Sequence, residues 1–383
     1  MESIVHTRVT PRPHRDHPAA EAANRPEDYA RFGLHADRVG QWEDGAHTDG
    51  RAGTYEWWYF DAHLNDGAKL VVVFMTKDIA APKTPLRPVV RISLDLPDGR
   101  SFERVQTFDA RDFSMATDTA DVRIGDNRFV GDLSTYRITA DLGTIAVDLT
   151  LESDIAPWRP GTGHMVFGSE RELEFAWLPA VPQGRVSGTY EVNGTSASAA
   201  GVGYHDHNWG NVGMTEVIHH WYWARGQAGP YSAITSYITA HKRYGYETIP
   251  IFMLAKDGVL LADDASHVTF ETMGGYTDTH TGKPVANVTR YTYTQNTTSY
   301  VVTYTRHRDL SVVRFTDEAS WAKKLLARLV RFDAAYLRFT GELRIDHLED
   351  GTLVEHFVND AIWELMYFGH ARPERLTGGA PAR

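Results

Sequence analysis

The sequence predicts an all-β protein, with two barrel or sandwich domains and one amphipathic helix in the C-terminal half. Three observations carry that expectation. Apolar and polar residues alternate with period two over short runs. Those runs are bounded by Asn-Gly and Asp-Gly turn signals at regular spacing. Aromatic residues are plentiful, with 10 Trp, 18 Tyr and 16 Phe, and a length of 383 residues exceeds one ordinary domain.

Residues 1–44 read as an N-terminal extension, partly disordered. Within it, Pro26-Glu-Asp-Tyr-Ala-Arg-Phe32 places Pro in a first helical turn with acids behind it, which predicts a short helix. The first β-domain is expected over 45–215, with its packed body starting near Thr54. Tyr55-Glu-Trp-Trp-Tyr-Phe-Asp61 is an aromatic strand, and Asn65-Asp-Gly67 turns the chain into an apolar strand over 69–77. Strands over 89–96 and 102–108 flank Pro97-Asp-Gly99. Ile145, Val147, Leu149 and Leu151 alternate with Ala146, Asp148, Thr150 and Glu152, the pattern of a half-buried strand. Another strand covers 185–192 and ends at Asn193-Gly194.

The second β-domain is expected over 216–372, before a tail at 373–383. Its strands fall at 231–241, 249–255, 259–262, 291–294, 300–304, 343–347 and 353–358, as expected of barrels and sandwiches. One segment departs from this. In 318–332, Trp321, Leu325 and Leu329 recur at helical spacing, with Lys323, Lys324, Arg328 and Arg331 on other faces. Such a helix either touches a membrane that holds an apolar substrate or, more commonly, packs against a barrel.

Composition narrows the function. A formal charge of −11 argues against a nucleic-acid partner. With no cysteine, thiolate catalysis, disulfides and iron–sulfur clusters are excluded. Residues 1–24 have no apolar core segment of the signal-peptide kind, and no run approaches a membrane span, so a cytoplasmic location is the default.

The densest chemistry lies in Gly201-Val-Gly-Tyr-His-Asp-His-Asn-Trp-Gly-Asn211 and His219-His-Trp-Tyr-Trp-Ala-Arg225. On a strand, side chains alternate between faces. Tyr204, Asp206 and Asn208 then share one face, and His205, His207 and Trp209 the other. Trp221 and Trp223 share a face with His219 and Arg225. His205, His207, His219 and His220 invite a metal, and His-x-His is a known ligand spacing. Nothing else in the chain has ligand spacing, so no metal is assigned. There is no Gly-x-Ser-x-Gly elbow and no phosphate-binding glycine loop.

Taken with Tyr55-Glu-Trp-Trp-Tyr59, the motif Gly203-Tyr-His-Asp-His-Asn-Trp-Gly210 and the run Trp221-Tyr-Trp-Ala-Arg225 resemble the lipocalin-like superfamily of carotenoid 1,2-hydratases, or hydroxyneurosporene synthases. That superfamily includes AttH-like proteins and natural-product Diels–Alderases. Its pattern Gly-Tyr-x-Asp-x-Asn-x-Gly, then Trp-x-Trp-x-Arg, is matched by Gly203, Tyr204, Asp206, Asn208, Gly210, Trp221, Trp223 and Arg225. The pattern does not demand His205 and His207. The resemblance implies two lipocalin-like β-domains over roughly 45–370, a pocket at or between them, and acid-initiated, cofactor-free chemistry on an isoprenoid or polyene.

Protonating an unactivated C=C needs a carboxylic acid kept protonated by burial. Asp206 is the candidate, with Tyr204, His205 and Asn208 as further catalytic candidates. The carbocation formed would be stabilised by indole and phenol faces. Trp57, Trp58, Trp209, Trp221 and Trp223 are candidate walls, and Arg225, Glu56 and Glu364 candidate polar contacts. For Glu56, Glu364 and one of Trp57 and Trp58, a purely structural role is an equal or better reading. The expected partner is a small apolar substrate. Three functions fit: an enzyme that hydrates, cyclises or isomerises a polyene or terpenoid, a pericyclase that orients a flexible polyene, or a carrier without turnover.

Overall fold

The computed structural model describes residues 3–6, 17–79, 81–315, 317 and 333–371. Within them the strands form a 14-stranded and a 10-stranded antiparallel sheet, so the all-β expectation holds. The first sheet runs from Ser101–Thr107 through Val89–Asp95, Lys69–Met75 and Tyr55–Leu64 to Gly201–Gly210, Leu173–Val192 and Ile145–Ser153. It ends on the short strand Phe113–Met115. Most neighbours are hairpin partners. The exception is Gly201–Gly210, late in the chain, which inserts beside Tyr55–Leu64. The second sheet repeats this arrangement. Its early strand Ile218–Ala228 pairs both with the next strand, Tyr231–Ala240, and with the late strand Thr352–Tyr367. The two motif-bearing strands therefore lie where each sheet joins its early and late strands.

Several expected strands prove longer. The one expected over 185–192 is the end of the 20-residue strand Leu173–Val192. Its pairing with Gly201–Gly210 slips between Leu178 and Val181 and again between Val181 and Gly184. Pro179 and Pro182 lie there and cannot donate to the ladder, so a bulge is the local solution. The strands Ala120–Ile124 and Asn127–Gly131 were not foreseen. Each is only five residues long, although Ala120, Val122 and Ile124 alternate with Asp121 and Arg123 in the period of a half-buried strand.

The helix Pro26–Phe32 forms as expected. The helix expected over 318–332 lies outside the described residues. The packed body includes residues upstream of Thr54. Glu43 and Asp44, in the helical turn Gln41–Asp44, are 3% and 1% exposed. Arg159 Nε donates to Glu43 at 2.7 Å, and Tyr136 Oη donates to Asp44 at 2.5 Å. These two bonds draw the turn against the first sheet. Among the described residues no helix is long and apolar enough to cross a membrane.

The apolar residues fall into three clusters. One fills the curled first sheet around Trp58, Phe60, Phe74 and Phe129. A second fills the other sheet around Tyr291, Tyr304, Phe339 and Trp363. The third lies between the sheets and includes Phe175, Trp177, Tyr204, Ile234 and Ile238. Close backbone contacts fix the ladders. Opposite a slip between Arg306 and Arg308, a Cβ on Gly341 would lie 2.0 Å from the Thr305 carbonyl oxygen and 2.9 Å from Trp363 Cη2. Gly341→Ala should therefore cost about 1–3 kcal/mol and lower Tm by several degrees in a thermal melt. An unchanged Tm would contradict this packing.

Candidate active site

From Gly203 onward, every residue of the Gly201–Gly210 strand is buried. Alternation sorts its polar groups as the sequence suggests. His205 and His207 point into the interior of the first sheet. His205 Nδ1 donates to the Tyr59 carbonyl at 2.8 Å, and its Nε2 lies 3.1 Å from Asp44 Oδ2. His207 Nε2 donates to Glu56 at 2.9 Å, and its Nδ1 lies 3.4 Å from Asp44. Glu56 also accepts from the backbone N–H groups of His47 and Thr48 at 2.8 and 2.9 Å. Burial disfavours a charged His207 ring, but the bonds to Asp44 and Glu56 outweigh it and push His207 up to about 9. Burial would likewise raise the Asp44 carboxyl, yet His205 and His207 hold it well below the usual range.

Tyr204, Asp206 and Asn208 point the other way, toward the second sheet. There Asp206 and Asn208 border a cleft of about 140 Å³. The first sheet contributes Trp57, Tyr59, Phe175, Trp177, Asp206 and Asn208, and the second contributes Trp221, Trp223, Ser236, Ile238, Tyr336 and Glu364. The cleft thus lies between the outer faces of the two sheets, because both interiors are filled by their own side chains.

Two carboxyls face this cleft, and their surroundings match. Asp206 accepts from Trp177 Nε1 at 2.8 Å, Tyr204 Oη at 2.7 Å and Asn208 Nδ2 at 2.6 Å. Glu364 accepts from Trp221 Nε1 at 3.0 Å and Tyr336 Oη at 2.6 Å. Each carboxyl is therefore held by one indole and one phenol. Burial pushes Asp206 up to about 6, against the pull of its three donors and the nearby charge of His205. Burial also raises Glu364, against the bonds from Tyr336 and Trp221 and the nearby charge of Arg338.

Of the residues singled out from sequence, the fold brings Trp57, Asp206, Asn208, Trp221, Trp223 and Glu364 to the cleft. Tyr204 stands behind Asp206. Arg225 forms an ion pair with Asp61 across the two sheets and lies over the Tyr204 ring at 5.3 Å. Glu56, Trp58, His205 and Trp209 lie on the opposite face and do not line the cleft. Trp58 stacks on His207 at 4.4 Å, and Trp209 on His47 at 3.8 Å. That face has its own cavity of about 150 Å³ at the mouth of the first sheet, bordered by His47, His164, Glu174 and Trp209.

His219 does not share the face of Trp221 and Trp223, because the ladder slips between Ile218 and His220. His219 and His220 instead contact each other at 2.7 Å through Nδ1. Among the described residues, no group of three or more His, Asp and Glu is placed to hold a metal ion. Sequence reasoning missed Tyr59, Phe175, Trp177, Ser236, Ile238 and Tyr336. Alternation from Trp57 was enough to find Tyr59. Trp177 enters only through its pairing with Asn208.

A family model described as Diels-Alderase-like matches residues 51–320. The chain is 29% identical over 207 residues to a hydroxyneurosporene dehydrogenase of Chlorobaculum tepidum, covering 45% of this chain and 53% of that protein. It is 27% identical over 195 residues to a quinolone epoxide rearrangement protein of Emericella nidulans, covering 48% and 53%. The chain thus spans about half the length of the curated relatives it matches. Its fold is similar to that of CghA, solved with Sch210972, with a TM-score of 0.57, 16% identity, and coverage of 87% and 97%. It is also similar to kievitone hydratase from Nectria haematococca, with a TM-score of 0.53, 13% identity, and coverage of 92% and 97%.

The His207 network predicts a pH-dependent stability. A raised pKa adds stability that is complete below about 6.5 and is lost as pH rises through about 9. At about 1.4 kcal/mol per pH unit, the loss amounts to at most about 3 kcal/mol. Urea unfolding at pH 6, 8 and 10 should show that decline, and His207→Gln should flatten it.

Proposed function

The chain belongs to the Diels-Alderase-like family, and we propose that it is a cofactor-free enzyme of natural-product biosynthesis. In this reading Asp206 protonates a C=C of an apolar polyene or terpenoid, and the cleft directs the resulting cation. The observation that carries the reading is the setting of Asp206. Asp206 is 7% exposed, and its carboxyl accepts hydrogen bonds, among the described residues, from neutral donors alone and faces a wall of aromatic rings.

Such a carboxyl holds its proton to a higher pH than a solvated one. With a pKa of about 6, roughly one molecule in ten carries the proton at pH 7. Proton transfer to an alkene carbon forms a C–H bond and leaves a carbocation next to the Asp206 carboxylate. The faces of Trp57, Trp177, Trp221 and Trp223 stabilise positive charge by about 0.5–2 kcal/mol each. Attack by water, with its proton lost to a carboxylate, gives hydration and a gain of one water. Attack by an internal alkene gives cyclisation, and loss of a different proton gives isomerisation, both without change of mass. Names of the relatives support this range: one is a hydroxyneurosporene enzyme and another rearranges a quinolone epoxide.

The family description favours a second reading, a pericyclase. There the cleft only orients a flexible polyene, and proximity supplies the rate.

The two readings separate on one variant. Asp206→Asn keeps the shape and leaves the fold intact by circular dichroism. Acid catalysis predicts a loss of turnover of a hundredfold or more, whereas orientation alone predicts a mild effect. Mass spectrometry of polyenes incubated with the protein reads the product, and undiminished turnover by the variant would sink the acid role. The wild-type kcat/KM should fall as pH rises through about 6, because the protonated form is the active one, and a profile flat from pH 5 to 8 would count against it.

A further inference from the structure

The charge inventory of the cleft selects its ligands. Asp206 and Glu364 face it, and among the described residues no Lys, Arg or His lines it. Among the described residues neither carboxyl makes an ion pair, and their hydrogen bonds come from indole, phenol and amide donors. The cations behind the walls have anionic neighbours of their own. Arg225 pairs with Asp61, and Arg338, whose charge also reaches Glu364 without an ion pair, lies 3.9 Å from Asp95. His205 lies on the other face, against Asp44.

A buried carboxylate without a counter-ion is costly, so each of these groups either keeps a proton or gains from a positive guest. Indole and phenol faces reward the same guest. Trp177 and Trp221 are tied by their N–H groups to the two carboxyls, which fixes their ring orientation around the cleft.

Resting on the active-site reading above, we propose that the cleft is cation-selective: its substrate is neutral or carries a basic nitrogen, and a ligand with an ammonium centre binds against Asp206, Glu364 and the indole walls. Anionic groups are repelled. A precursor bearing a phosphate or carboxylate must therefore lose it in an earlier hydrolytic or eliminative step.

Two isosteric benzyl probes and a benzyl anion test this on the full chain, with tryptophan fluorescence and calorimetry as readouts. They are benzyltrimethylammonium, its neutral carbon isostere neopentylbenzene, and the anion phenylacetate. The ammonium should bind at least tenfold more tightly than the isostere, and phenylacetate should not compete. Glu364→Gln should weaken the ammonium several-fold and leave the isostere unchanged. Equal affinity for ammonium and isostere, or tighter binding of phenylacetate, overturns the proposal. The readout is binding to the wild-type protein, so it is independent of turnover by Asp206→Asn. An inert Asp206→Asn with no ammonium preference rejects cation selectivity alone, and an active Asp206→Asn with that preference rejects the acid role alone.

Discussion

The Gly201–Gly210 strand has no solvent-facing side along most of its length, and it carries two imidazoles, a carboxyl and an amide. Each buried polar group needs a partner. Period two sends His205 and His207 to one side and Asp206 and Asn208 to the other, so the strand demands polar partners on both faces at once. On the inner face the demand is met by Asp44 and Glu56, which explains why the turn Gln41–Asp44 is drawn against the first sheet. On the outer face it is met by Trp177 and Tyr204, at the boundary with the second sheet. The docking of the N-terminal turn and the placement of Trp177 beside Asp206 both satisfy this one strand.

The two faces treat buried carboxyls in opposite ways. Asp44 and Glu56 lie against imidazoles, and the Asp44 carboxyl is held low while His207 is held high. That arrangement serves the fold. Asp206 and Glu364 receive only neutral donors and are pushed up by burial. Such groups give little to stability, and a proton or a cationic guest neutralises them. The histidines that make the motif conspicuous thus belong to the structural half, and the acid between them to the half proposed to be functional.

Membership of a Diels-Alderase-like family fits a scaffold whose interiors are filled and whose cleft lies between sheets. Twelve side chains drawn from several strands of both sheets border that cleft. Exchanges at such positions reshape the cleft without disturbing either core. A common fold can therefore accompany relatives with names as different as hydroxyneurosporene dehydrogenase and quinolone epoxide rearrangement protein.

Much of this was legible in the sequence, because strand alternation is a local property. It put Asp206 with Asn208 and Tyr204, set Trp57 apart from Trp58, and marked the turns at Asn65-Asp-Gly67 and Asn193-Gly194. What stayed hidden depends on pairing between distant segments. No local pattern tells which face of Tyr55–Leu64 meets the cleft, so Glu56 and Trp58 looked as available as Trp57. Trp177 and Tyr336 bond to Asp206 and Glu364 across 29 and 28 residues of chain. The alternation inferred for His219 failed at a ladder slip, which depends on the neighbouring strand. Sequence by itself determined most of the strands, the divided faces and the position of Asp206 between two histidines. Tertiary structure alone decided which face became a cleft, because that choice depends on which surfaces the two sheets bury against each other.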